Sequence, residues 1–204
     1  MKPFNRAKSR LASVLDSEQR ERFSRNMMEQ TLRTALAANG INGVLVISRD
    51  SAALALARRY SVQTVQESGA PELNRALTRA SQFALSQGAE AVLVLASDIP
   101  MMRVKDIESI LALGKYPDVI VLATDRRDDG TNALLMRPPG IIAFRYGVGS
   151  FHKHQEEARK RDIKIQIYAS DTIALDVDIP ADLDLYREMI TMQGVSDAAW
   201  LGVL

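Results

Sequence analysis

Apolar positions along this chain switch between two rhythms. Spacings of three and four residues predict helices, and short continuous or alternating apolar runs predict strands. Between residues 17 and 38, Phe23, Met27, Met28, Leu32 and Leu36 fall at helical spacing. Asp16 or Ser17 is placed to cap that helix and Asn39-Gly40 to stop it. Residues 43–48 form an apolar strand, 51–60 an Ala-rich helix, 62–65 a short strand and 72–87 a helix ended by Gly88. The most apolar strand is 91–95; a helix over 104–113 and a strand over 118–123 follow. This β-α-β-α order predicts an α/β fold: a single domain over 1–204, with a mostly parallel, Rossmann-like sheet flanked by helices.

The rhythm then changes. Arg126 to Gly130 is a charged loop, 131–136 a short strand and Arg137-Pro138-Pro139-Gly140 a turn. A helix is predicted over 151–161, strands over 163–168 and 173–178, and a last helix from Pro180 to about Met192. No repeat, low-complexity tract or linker interrupts the pattern. The tail over 193–204, with Trp200, Leu201 and Leu204, either docks or frays.

Composition mainly removes function classes. Lys plus Arg is 26 against 25 for Asp plus Glu, so a net charge of +1 gives no broad basic surface for nucleic acid. The absence of cysteine excludes disulfides, thiolate metal sites and cysteine nucleophiles. No apolar run approaches the ~18 residues of a membrane helix. The start, Met1-Lys2-Pro3-Phe4-Asn5-Arg6, lacks an apolar signal core. The expectation is a cytoplasmic protein without membrane or nucleic-acid partners; a homodimer stays open.

The strongest chemical signal is acidic. In Leu175-Asp176-Val177-Asp178-Ile179-Pro180, strand alternation puts Asp176 and Asp178 on one face. Like charges that close repel unless a cation lies between them. A second acidic step, Ser97-Asp98-Ile99-Pro100, follows the apolar strand, at the edge where open α/β sheets bind ligands. If these strands share a sheet, Asp98, Asp176 and Asp178 converge on Mg²⁺, whose shell phosphate oxygens complete. The competing reading makes all three turn or cap residues.

Weaker signals accompany it. Lys2, Arg6, Lys8 and Arg10 offer charge to a triphosphate, or are simply a solvated face. Lys8 and Arg10, two apart, face the same way if the segment is extended. Gly130-Thr131-Asn132 reads equally as an anion-holding junction or an ordinary turn. In Gly147-Val148-Gly149-Ser150-Phe151, glycines permit close backbone approach and a helix N-terminus attracts phosphate; Ser150 is equally an ordinary N-cap. His152 and His154 are expected to be exposed helix residues, two apart and so on different faces.

Taken in order, Ala7-Lys8-Ser9-Arg10-Leu11, Leu73-Asn74-x-Ala76-Leu77, Asp98-Ile99-Pro100, Thr131-Asn132-Ala133-Leu134, Gly147-x-x-Ser150-Phe151 and Asp176-Val177-Asp178-x-Pro180 resemble the 2-phospho-L-lactate or phosphoenolpyruvate guanylyltransferases of deazaflavin coenzyme F420 biosynthesis. The resemblance spans about Lys2 to Arg187 and lies in the order and spacing of the motifs. It implies a GT-A-like nucleotidyltransferase fold, GTP as donor substrate, one or two Mg²⁺ as cofactor and a phosphorylated three-carbon acid as acceptor. It implies metal binding at Asp98 and Asp176, with Asp178 close by, and acceptor binding at Thr131, Gly147 and Ser150. It sets Lys8 and Arg10 along the GTP phosphates as catalytic groups and Asn74 near the guanosine. Phosphoenolpyruvate is favoured as acceptor, with 2-phospho-L-lactate next. Another nucleotidyltransferase of the same fold and a non-catalytic GTP binder are the alternatives.

Two departures from that family stand out. Its members usually begin with an apolar strand just ahead of the segment matching Lys2-Pro3-Phe4, and this chain starts at Met1 without one. Such a strand is usually central, so its loss leaves two neighbours unpaired; the expectation is an upstream start or an impaired fragment. Asp128-Asp129-Gly130 stands where relatives carry more glycine, setting two negative charges beside an anion site.

Overall fold

Two strands, Val119–Thr124 (β4) and Thr131–Arg137 (β5), are buried almost along their whole length, and the rest of the architecture follows from them. Their side chains alternate between two apolar layers, as strand geometry requires. Val121, Ala123, Ala133 and Leu135 face Ile107 and Ile110 on one side, and Ile120, Leu122, Leu134 and Met136 face Leu77, Phe151 and Ala158 on the other. Only a short loop joins β4 to β5, and a connection that short requires an antiparallel pair. Val92–Leu95 (β3) lies antiparallel on the far side of β5, and Lys164–Ile167 (β6) parallel on the far side of β4. The sheet order is therefore β3-β5-β4-β6, with β5 reversed against the other three strands.

Leu45–Ser48 (β1) and Gln63–Gln66 (β2) form a separate parallel pair. No hydrogen bond joins β1 to β3 among the described residues. Leu45 to Ile47 and Val92 to Leu95 are only half-buried despite their apolar character. Helices flank both sheets: Ser17–Ala37 (α1), Ser51–Arg59 (α2), Leu73–Ser86 (α3), Val104–Leu113 (α4), Ser150–Arg159 (α5), the single turn Asp171–Ala174 (α6) and Pro180–Met192 (α7). Asp16 caps α1 through a reciprocal pair with Gln19, which satisfies two otherwise orphaned N–H groups. No helix among the described residues is long and apolar enough to cross a membrane.

The computed structural model describes residues 3–4, 7–67 and 72–192. Lys2 and Arg6 of the basic start, and the 193–204 tail with Trp200, Leu201 and Leu204, lie outside them. One expected strand is absent: 173–178 is the α6 turn followed by an extended segment. Its backbone groups bond to loops and side chains instead of a ladder. The Asn132 amide donates to the Ile173 carbonyl, the Arg126 N–H to that of Ala174, and the Val177 N–H to that of Asp98. Alternation survives without the strand, since Leu175 and Val177 are buried while Asp176 and Asp178 are half-exposed.

Candidate active site

The carboxyl ends of β1 and β3 are bridged by the first described residues of the chain. The Phe4 N–H donates to Asp50 Oδ2 at 2.7 Å, just past β1, while the Phe4 ring sinks among Met28, Leu32 and Leu56. Lys8 then adopts a left-handed conformation, φ 52°, and opens the 3₁₀ turn Ser9–Leu11, whose Leu11 anchors it in the core beside Leu175 and Val177. This turn separates the two cations expected to act together. Lys8 points inward and its side chain is only 7% exposed, whereas Arg10 is exposed to solvent. The extended geometry that would have aligned them does not form.

Lys8 Nζ lies 2.9 Å from Asp98 Oδ2 and 2.8 Å from Asp178 Oδ1, so a single ammonium joins the two acidic steps. Burial alone would lower the Lys8 pKa, but Asp98 and Asp178 raise it above the ordinary lysine value, so it stays cationic. Asp176 shows the opposite strain. Burial, then the charge of Asp98 and more weakly those of Asp178 and Asp125, push its pKa up to about 6. Asp98 and the Asp176/Asp178 pair therefore share one electrostatic site. In the arrangement seen, no three His, Asp or Glu side chains among the described residues are grouped to ligate one ion. The donor set nevertheless suits a hard cation: carboxylate oxygens only, with like charges that a divalent ion relieves.

Three residues hold this site in shape, and of these the sequence singled out only Asn132. Asp106 of α4 accepts hydrogen bonds from the Tyr168, Ser170 and Thr172 hydroxyls and from the Arg103 N–H. Burial raises its pKa, but these four donors outweigh that and keep it below the usual carboxylate value. Asp182 Oδ2 accepts from the N–H groups of Asp178 and Ile179, and its Oδ1 pairs with Arg127 at 2.9 Å. Asn132, read beforehand as anion-holding or a turn residue, instead pins the α6 turn from β5. Spacing alone gave no signal for the tertiary roles of Asp106 and Asp182, because the hydroxyl partners of Asp106 and the Arg127 partner of Asp182 are 55–66 residues away in sequence.

A second polar cluster forms where β5 meets α5. Ser150 Oγ donates to Thr131 Oγ1 at 3.1 Å, and both residues are buried. Ser150 is the first helical residue; Gly149 is the cap and makes no side-chain bond. Asp129, one of the two unexpected acids, turns toward this helix start: its Oδ2 accepts from the Gly149 N–H and its carbonyl from the Phe151 N–H. That satisfies two of the orphan donors and sets a negative charge against the positive helix end. Gly147 has φ 123°, a region that favours glycine, and no described atom lies within 4 Å of where a Cβ would project. Asn74 clasps the same loop, with its amide donating to the Tyr146 carbonyl and accepting from the Tyr146 N–H. His154, expected on the surface, is fully buried, because α5 turns Ser150, Phe151, His154 and Ala158 toward the sheet.

The guanylyl transferase CofC-like family model matches residues 1–199. The chain belongs to this family. A phosphoenolpyruvate guanylyltransferase of Rubrobacter xylanophilus is 36% identical over 183 residues, covering 90% of this chain and 88% of that protein. A 2-phospho-L-lactate guanylyltransferase of Methanocaldococcus fervens is 35% identical over 181 residues, covering 89% of this chain and 79% of that protein. A solved 4-diphosphocytidyl-2C-methyl-D-erythritol synthase of Anaerococcus prevotii superposes with a TM-score of 0.61 at 14% identity, covering 81% of this chain and 86% of that one. At that identity the likeness concerns the fold, a nucleotidyltransferase α/β architecture. Family membership places the chain among the nucleotidyltransferases.

Proposed function

We propose that this chain transfers GMP from GTP to the phosphate of a small phosphorylated acid, with phosphoenolpyruvate the favoured acceptor and 2-phospho-L-lactate the next. The observation that carries the reading is the single ammonium of Lys8 held between Asp98 and Asp178, with Asp176 raised in pKa beside them. A site that gathers negative charge around one cation, at the carboxyl ends of the strands, suits a polyphosphate bound through cations. The names of the Rubrobacter and Methanocaldococcus relatives support guanylyl transfer and both acceptors alike.

In this reading an oxygen of the acceptor phosphate forms a bond to the α-phosphorus of GTP. The bond from that phosphorus to the bridging oxygen breaks, and diphosphate leaves with the electron pair. Both reactants are anions, so the chain's main task is to offset charge and align them. Lys8 serves the leaving diphosphate, and its present partners Asp98 and Asp178 would hold a cation when the substrate is bound. Asp98, with Asp176 or Asp178, would hold Mg²⁺, which supplies charge neutralisation and alignment of the attacking and leaving oxygens. Arg10, on the surface, is available to the outer phosphates. Thr131, Ser150 and the backbone at Gly147 hold the acceptor, and Asn74 keeps that loop in place. A phosphate monoester is already ionised near neutral pH, so no side-chain base is needed.

Asp98→Asn tests the assignment. It keeps the shape but removes a charge from Lys8 and from the cation site. The expected result is loss of at least about a hundredfold in diphosphate release, from removal of a charge-assisted contact at the reacting centre, with an unchanged far-UV circular dichroism spectrum. Near-wild-type turnover would remove Asp98 from the site.

A further inference from the structure

The buried imidazole of His154 has a fixed tautomer, and that tautomer dictates where a neighbouring proton goes. The backbone N–H of Arg145 donates to His154 Nε2 at 2.9 Å, so Nε2 is an acceptor and carries no proton. In a neutral ring the proton is then on Nδ1, which lies 3.1 Å from Thr131 Oγ1. Burial keeps the ring neutral, depressing its pKa to about 4. The Tyr146 ring meets it edge-on, with centroids 4.9 Å apart, and Thr131, Ser150 and His154 are all at most 6% exposed. The Nδ1–H also meets the Ser150 backbone carbonyl, so Thr131 Oγ1 accepts from a shared His154 Nδ1–H and from the Ser150 hydroxyl. A hydroxyl oxygen has two lone pairs. With both engaged, the hydroxyl's own proton is left to donate, and Thr131 Oγ1 has no third partner among the described residues.

We propose that His154 is a positioning residue: with its tautomer locked by the Arg145 amide, it fills the acceptor side of the Thr131 hydroxyl and turns that hydroxyl into an obligate donor for an oxyanion of the acceptor substrate. The proposal rests on the reading above, in which Thr131 and Ser150 hold the acceptor. It adds a rule of selection, since the group facing Thr131 must accept a hydrogen bond. A carboxylate or phosphate oxygen satisfies that rule, and an ammonium or an amide N–H does not.

The test combines variants with spectroscopy, using GTP and phosphoenolpyruvate as substrates. His154→Leu removes the donor; His154→Asn restores an N–H near the Nδ1 position. The expected result is a KM for phosphoenolpyruvate raised about tenfold or more in His154→Leu, the size of a lost hydrogen bond to an anion. The KM for GTP should be unchanged, and most of the loss should be recovered in His154→Asn. Equal acceptor KM values in His154→Leu and wild type, or equal losses in the Leu and Asn variants, overturn the positioning role. Thr131→Val separates the two layers. If it leaves the acceptor KM unaltered, the acceptor-site reading fails; if it raises that KM while His154→Leu does not, only the positioning role fails. Long-range ¹H–¹⁵N spectra of the wild-type protein need neither turnover nor a stable variant. They should show His154 neutral at pH 7 with its proton on Nδ1, and a proton on Nε2 contradicts the proposal.

Discussion

Asp176 is the residue whose charge costs the folded protein most visibly. Its pKa rises from the ordinary 3.8 to about 6, first through burial and then through the charge of Asp98. The folded state thus holds this proton more tightly than the unfolded chain. The resulting stability is fully present below about pH 4 and fades as pH rises through about 6. Asp176→Asn removes that loss. At pH 7.5 the variant should melt about 2–4 °C above wild type, which corresponds to about 1 kcal/mol after allowance for solvent screening. The gap should close near pH 4, while activity is lost; an equal gap at both pH values would contradict this origin. That Asp98, Asp176 and Asp178 come together was legible, because acidic steps beside apolar runs stand out in the sequence. Lys8 was legible only together with Arg10, since which of the two turns inward depends on a left-handed turn that side-chain spacing does not encode. His154 was misread for a similar reason: two histidines two apart show nothing of which helix face meets the sheet.

Among the elements, α6 and the extended 175–179 segment are held by partners from outside the sheet ladder. Asp106 is the hub, with four donors converging on one carboxylate. Asp106→Ala leaves three hydroxyls and an N–H without their acceptor, at a cost of about 3 kcal/mol. Urea denaturation should show a lower midpoint with an unchanged slope. The expected companion is a lowered kcat, since the 168–174 loop leads directly into Asp176. A midpoint within error of wild type would mean that water replaces Asp106 at no cost. Helix and strand positions were largely legible, because α1 carries a capping box and α1, α4, α7 and β4 have clear apolar patterning. The 173–178 segment has strand-like alternation too, yet β5 is already paired on both sides, by β3 and β4. Sequence alternation reports which side chains are buried, not whether a neighbouring edge is free.

At the scale of the whole molecule, the sheet is divided between β1 and β3 among the described residues, and protection should follow that division. Amides of β4 and β5, buried on both faces and paired along both edges or in the centre, should exchange slowest. Amides of β1 and β3, paired on one side among the described residues, should exchange markedly faster although both strands are apolar. Uniform protection across all six strands would contradict the division. The α/β class, the helices on both faces and the position of Asp98 at a strand's carboxyl end were legible from the order of elements. The reversal of β5 was written in the short β4–β5 connection, but the division of the sheet appears only when the strands are assembled. The central claim, guanylyl transfer at the Lys8–Asp98–Asp178 site, is tested most directly by measuring diphosphate release from GTP with and without phosphoenolpyruvate or 2-phospho-L-lactate, for the wild-type chain and Asp98→Asn side by side. The account predicts release that requires one of these acceptors and disappears in Asp98→Asn; release without acceptor, or release that survives the substitution, would contradict it.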